Sequence, residues 1–236
     1  MADALLLLRL EGVLQSWGTR SRWDVRDSAD EPTKSGLIGL LGCAFGYARL
    51  DPKLEELDKS LKLGLRVENF GYGMTDFQTI TGQLPTASGG TKGNTDDPAT
   101  IISPRTYLQD AAFLAVLGGE RTMLERCRAA LLSPKWPYYL GRKSCPPSRP
   151  VFEALTEEYE SIEDTLRKHP WDWECKDTIS ERPRRLRCCL EDQEGDLLRP
   201  DQLPLNATRM FGLRRVRVFW IDFPGEKEVS ECISHG

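Results

Sequence analysis

Cations and aromatic rings gather at four points of this 236-residue chain. Gln15, Trp17, Arg20, Arg22, Trp23 and Arg26 share one short stretch. Lys34, Ser35 and Gly36 follow Thr33. Arg105 and Tyr107 stand two apart, and Gly141, Arg142 and Lys143 run together. Lysine and arginine neutralise phosphate, while rings and guanidinium planes stack on unpaired bases. An amide such as Gln15 can read a base edge. That chemistry suits a single-stranded nucleic acid better than a small-molecule pocket. Each cluster also has a plainer reading: a solvated loop over buried tryptophans, a capped helix, an ion pair beside a packed ring, or a basic turn.

Two further basic runs, Arg182, Arg184, Arg185, Arg187 and Arg209, Arg214, Arg215, Arg217, fit a solvated face, an RNA groove or an acidic partner. Acid–base chemistry is poorly provided for. The histidines are His169 and His235, with no nucleophile or second histidine near either. The acidic residues of Glu153–Asp164 fall all round a helical pattern, as on a solvated helix. H-E-x-x-H, G-x-S-x-G and P-loop patterns are missing. Seven cysteines lack a C-x-x-C pair, so reduced thiols in a cytoplasmic protein are expected rather than zinc. The reading is therefore no catalytic residue, no metal and no cofactor. A net charge of −4 excludes a global basic field, which leaves nucleic-acid binding to local clusters. Ala4–Leu8 is too short to span a membrane and lacks a signal-peptide pattern.

The elements that must position these residues follow from periodicity. Ala4–Leu10 reads as a buried strand and Val13–Asp30 as an ordered functional loop. Thr33 is a plausible N-cap for a helix carrying Leu37, Leu40, Leu41, Ala44 and Phe45 on one stripe and Gly36, Gly39, Gly42 and Gly46 on another. The glycines predict a close approach by a sheet or a ligand backbone. A polar helix, Asp51–Leu61, precedes a strand at Leu63, Leu65 and Val67. Residues 77–105 read as a hairpin with a mobile tip. Tyr107–Leu117 is one apolar strand, Arg121–Leu132 a helix and Trp136–Leu140 a fourth strand. This order is α+β and ferredoxin-like, as in RNA-recognition (RRM-like) domains. A helix over Glu153–His169 and strands at Leu186–Glu191 and Arg215–Phe223 then make a smaller C-terminal α/β extension. The expected organisation is a body over 1–147 with a hairpin at 77–106 inserted, and a unit over 148–236 packed on it or continuing it.

Four segments together resemble the CasD family: Leu7–Gly18, Pro32–Gly42, Ile102–Ala111 and Tyr139–Pro147. The resemblance implies a RAMP body with a protruding β-hairpin thumb. It implies a non-catalytic subunit of a type I-E CRISPR Cascade complex that grips the repeat-derived 5′ handle of crRNA and caps the backbone filament for antiviral targeting. Implied partners are the crRNA, the backbone subunit through the thumb and a large PAM-reading subunit, with target DNA met only indirectly. Lys34, Ser35, Arg142 and Lys143 would neutralise phosphates, beside Gly36 and Gly141. Trp17, Arg20, Arg22, Arg105 and Tyr107 would hold bases, and Gln15 would read an edge. A related family cuts precursor RNA with Tyr, Lys and His, so a metal-independent endoribonuclease is the alternative. This chain has no suitably placed Lys-His pair after the third strand.

Overall fold

A computed structural model describes residues 4–19, 25–86, 88–173, 183–203 and 211–225. Leu5–Glu11 (β1) is buried along its whole length, as a strand covered on both faces must be. Leu6, Leu8 and Leu10 join the core under the helices Lys34–Phe45 (α1) and Arg121–Leu132 (α3). Leu5 and Leu7 alternate to the other face, against Trp171, Trp173 and the helix Ile162–Lys168 (α4). Arg9 shares that second face. It is almost fully buried and is matched by Glu153 and Glu68.

The remaining elements are a short β2 (Leu14–Gln15), a polar helix α2 (Pro52–Ser60), β3 (Lys62–Asn69), β4 (Tyr72–Gly82), β5 (Leu84–Pro85), β6 (Thr91–Lys92), β7 (Ala99–Gln109), β8 (Ala112–Gly118), β9 (Phe152–Thr156), β10 (Arg185–Glu191), β11 (Leu197–Gln202) and β12 (Gly212–Asp222). Seven strands form one antiparallel sheet in the order β11-β12-β10-β3-β8-β1-β9. A second sheet, β2-β7-β4, carries the long hairpin, in register from Tyr72↔Gln109 to Gly82↔Ala99. The chain is thus a mixed α/β protein with antiparallel sheets.

Several expectations hold. The Thr33 hydroxyl accepts from the Gly36 N–H at 3.2 Å and caps α1, and α3 spans Arg121–Leu132. Others need correction. The expected strand Tyr107–Leu117 is two strands, because Asp110 takes a left-handed backbone (φ 55°) and turns the chain from hairpin to central sheet. Trp136–Leu140 is not a strand. Pro134 and Pro137 have no N–H for a ladder, and the backbone N–H groups of Lys135 and Trp136 instead donate to Ala44 and Cys43, the open C-terminal carbonyls of α1. The neighbour of β1 on the side away from β8 is β9, which overlaps the start of the stretch expected to be helical. Its inward charge, Glu153, is tolerated because Arg9 meets it. α4 starts only at Ile162, after the Ser161 cap. Strand β9 pairs with β1 and β10 with β3, so strands past residue 147 join the same seven-stranded sheet as those before it. Strand β11, for which the sequence pattern predicts no element, is an edge strand containing Pro200.

Candidate nucleic-acid interface

The four segments singled out in the sequence meet at one edge. After β1 the chain turns through β2, which pairs with β7 at Leu14↔Gln109 and Gln15↔Leu108. The Ser16 N–H donates to the Leu140 carbonyl (3.1 Å), and its hydroxyl donates to the Thr106 carbonyl (3.0 Å). Gly141 sits directly against Ser16. A Cβ at Gly141 would collide with the Ser16 carbonyl oxygen, and its φ of 86° disfavours any other residue. Arg26 runs beside β7, donating its N–H to Pro104 (2.9 Å) and accepting from Thr106 (2.8 Å). Arg142 ties these pieces together. Its Nη2 donates to the carbonyls of Arg26 (2.9 Å) and Asp27 (3.0 Å), and its guanidinium lies 4.7 Å from the Tyr107 ring centre. The Trp17 ring lies against Gly36, where a Cβ would stand 2.8 Å from it. That contact accounts for one glycine of the α1 stripe; Gly39 has nothing within 4 Å of its Cβ position.

Four expected contact residues point inward. Gln15 is fully buried. Its Nε2 donates to the carbonyls of Leu10 (3.1 Å) and Ala111 (2.6 Å), and its Oε1 accepts from Trp17 Nε1 (3.1 Å), so no amide proton remains for a base edge. Trp17 and Tyr107 belong to the core under α1. Lys34 is 3% exposed, with its ammonium 3.0 Å from Glu191 and 4.0 Å from Asp58. Burial pushes the Asp58 carboxyl up from its ordinary range, although the Lys34 charge opposes that. The anion at the α1 N-terminus is the chain's own. Asp201 accepts from the Lys34 backbone N–H at 3.0 Å and from Arg214 at 3.0 and 2.6 Å. These buried side chains build the edge from within. Sequence reading missed this because the partners of Lys34 lie 157 and 167 positions away.

What faces outward is a smaller set. Lys143 and Gly141 are exposed, and Ser35, Gly36, Arg105 and Arg142 are partly so. Arg105 Nε and Arg142 Nη1 are buried donors with no hydrogen-bond partner among the described residues. A guanidinium cannot shed its proton, so an orphan donor of this kind calls for an oxygen acceptor. Arg20, Arg22, Trp23, Arg182 and Arg209 lie outside the described residues. Of the C-terminal arginines, Arg187 pairs with Glu31, Arg214 with Asp201 and Arg217 with Glu163 and Asp192. Those charges are spent within the chain. Sequence reading also missed a cleft of about 600 Å³ beside the edge, lined by Ser28, Glu31, Phe70, Gly73, Arg187 and Arg199. Arg199 also pairs with Glu31, and burial lowers its pKa.

A family model described as CRISPR-associated protein (Cas_Cas5) matches residues 5–217. The chain belongs to the Cas5 family of CRISPR-associated proteins. Among relatives of this Cas5 chain, the CRISPR system Cascade subunit CasD of Escherichia coli (strain K12) is 33% identical over 159 residues, covering 62% of this chain and 69% of that one. A chain of a CRISPR RNA-guided surveillance complex superposes with a TM-score of 0.73 at 29% identity, covering 93% of this chain and 91% of its own. A second solved structure, described as a crystal structure of Cas protein, gives 0.70 at 34% identity, with 95% and 98% covered.

Proposed function

We propose that this Cas5 chain is a non-catalytic subunit of a type I-E Cascade surveillance complex, where it holds the repeat-derived 5′ handle of the guide RNA. The observation that carries this reading is the pair of orphan donors, Arg105 Nε and Arg142 Nη1, where four segments converge. An RNA phosphate supplies the missing acceptors. Lys143 adds an exposed charge and Ser35 a hydroxyl, and Arg20 and Arg22 of the basic stretch in the sequence complete the proposed set. Gln15, Trp17, Lys34 and Tyr107 shape the edge from beneath.

The strand order β9-β1-β8-β3, with α1 and α3 packed on one face, supports a ferredoxin-like RAMP body. On that reading the body closes with β9 and the C-terminal strands extend its sheet. The β4–β7 hairpin is the thumb. It presents exposed Phe77 and Ile102, near each other across the strand pair, to the backbone subunit. The large PAM-reading subunit and, indirectly, target DNA are the further partners, in the cytoplasm. No helix among the described residues is long and apolar enough to cross a membrane.

The non-catalytic reading draws support from the placement of His169. Its ring is held between Tyr159 (3.0 Å) and Glu153 (3.1 Å), on the sheet face opposite α1 and away from the interface. The test is to copurify the chain with its complex and extract the RNA. A guide RNA with a fixed 5′ handle is expected. A defined cut of repeat RNA in EDTA by the purified chain, lost in His169→Ala, would instead establish a nuclease.

A further inference from the structure

The opposite end of α1 carries a surface with no role so far. Phe45 and Tyr47 stack at 5.0 Å with planes 7° apart. The Arg126 guanidinium lies 5.9 Å from the Phe45 ring centre, and the Lys53 ammonium lies 5.1 Å from that of Tyr47. Each ring of the stacked pair thus has its own cation beside it. The rings, each partly buried, hold two charges in place. Lys135 and Trp136 are anchored beside it by backbone bonds to Ala44 and Cys43.

Four cations in this region stand outside the ion pairs of the described residues. Arg49, Lys53, Arg126 and Lys135 have no carboxylate partner among the described residues, whereas Arg9, Arg66, Arg149, Arg187, Arg214 and Arg217 each have one. The nearby Asp51 carboxylate is engaged as the α2 cap. Three large apolar side chains stand out on the same segments: Leu50, Leu132 and Trp136, between 45% and 66% exposed. Leu50 is also held at φ 70°, a strained conformation for a bulky residue that the surroundings must enforce.

We propose that this surface is a protein–protein docking site whose occupant is a neighbouring subunit with an apolar centre and a carboxylate rim. Tryptophan, tyrosine and arginine are the residue types that dominate binding energy at interfaces. Free cations at the rim select a partner of opposite charge. The exposed apolar side chains Leu50, Leu132 and Trp136 favour protein over nucleic acid. The site lies across a 12-residue helix, about 18 Å, from the RNA edge, so one subunit can meet RNA and protein at once. Membership of a multisubunit complex comes from the proposed function.

The test uses the co-expressed complex carrying Lys53→Glu with Arg126→Glu, and separately Trp136→Ala. All three positions are exposed, and an unchanged Tm of each purified variant confirms folding. One protein subunit is expected to fall by about tenfold in stoichiometry while the RNA stays. Loss of RNA with every subunit retained would overturn the proposal in favour of a nucleic-acid track. An unchanged complex would overturn it outright. If the wild-type complex carries no RNA but the variants still shed a subunit, the handle-binding reading fails and this one stands.

Discussion

The Asp201 carboxylate accepts a hydrogen bond from the backbone N–H of Lys34 at 3.0 Å and so occupies the N-terminus of α1. The same carboxylate holds Arg214 by two bonds. A helix start that offers free N–H groups attracts anions, and here the fold has supplied its own. The contact joins α1, at the front of the chain, to β11 and β12 near its end.

Removing that carboxylate leaves the Arg214 guanidinium buried, with Glu191 (3.7 Å) as its remaining partner. Asp201→Ala is therefore expected to cost about 3–5 kcal/mol, as for other broken buried pairs. Chemical denaturation measures it. An unchanged midpoint would show that the pair contributes nothing net.

Gly141→Ala tests the close approach to Ser16. The added methyl collides with the Ser16 carbonyl and requires a φ that alanine resists. The variant is expected to lose stability and RNA together, because the bend that carries Arg142 and Lys143 must move. Wild-type RNA retention in this variant would show that the bend's geometry is irrelevant to binding.

Trp17→Ala and Lys143→Ala separate scaffold from contact. Trp17 is buried under α1, and truncating such a side chain costs about 3–5 kcal/mol. Lys143 is exposed, and its loss is expected to leave Tm within error while weakening RNA binding. The opposite pattern, a stable Trp17→Ala and an unfolded Lys143→Ala, would invert the assignment.

The Glu153 carboxyl predicts a dependence on acid. Burial alone would raise its pKa, but the His169 hydrogen bond and the Arg9 charge outweigh burial and hold it well below the usual carboxylate range. A lowered folded-state pKa stabilises the protein above the unfolded value of 4.5, and that contribution fades as pH falls toward the folded value. Melting temperature should thus drop between about pH 5 and pH 3, and the drop should shrink in Glu153→Gln. Parallel profiles for the two proteins would remove Glu153 from the account.

Local signals in the sequence located the elements around the interface well. Thr33 announced α1 because capping is a contact over three residues, and Gly118-Gly119 announced the start of α3. The convergence of four segments was also legible, since each carried cations or rings in loops next to apolar strands. What stayed hidden was set by distant partners. Lys34 reads as a phosphate ligand until Glu191 and Asp201 arrive from the other end of the chain. Glu153 reads as the surface of a helix until Arg9 shows that it faces a core. The break at Asp110 is marked only by the polar pair Gln109-Asp110, and the apolar run resumes at once on the other side of it.

The most direct measurement is the salt dependence of binding to a labelled 5′-handle oligoribonucleotide by the wild-type chain and by Arg105→Ala with Lys143→Ala. Each lost phosphate contact to a single strand flattens the log K against log salt slope by about 0.7. Weaker binding with a slope flatter by about 1.4 is expected for the double variant. Equal affinity and an equal slope would mean that the RNA is held elsewhere.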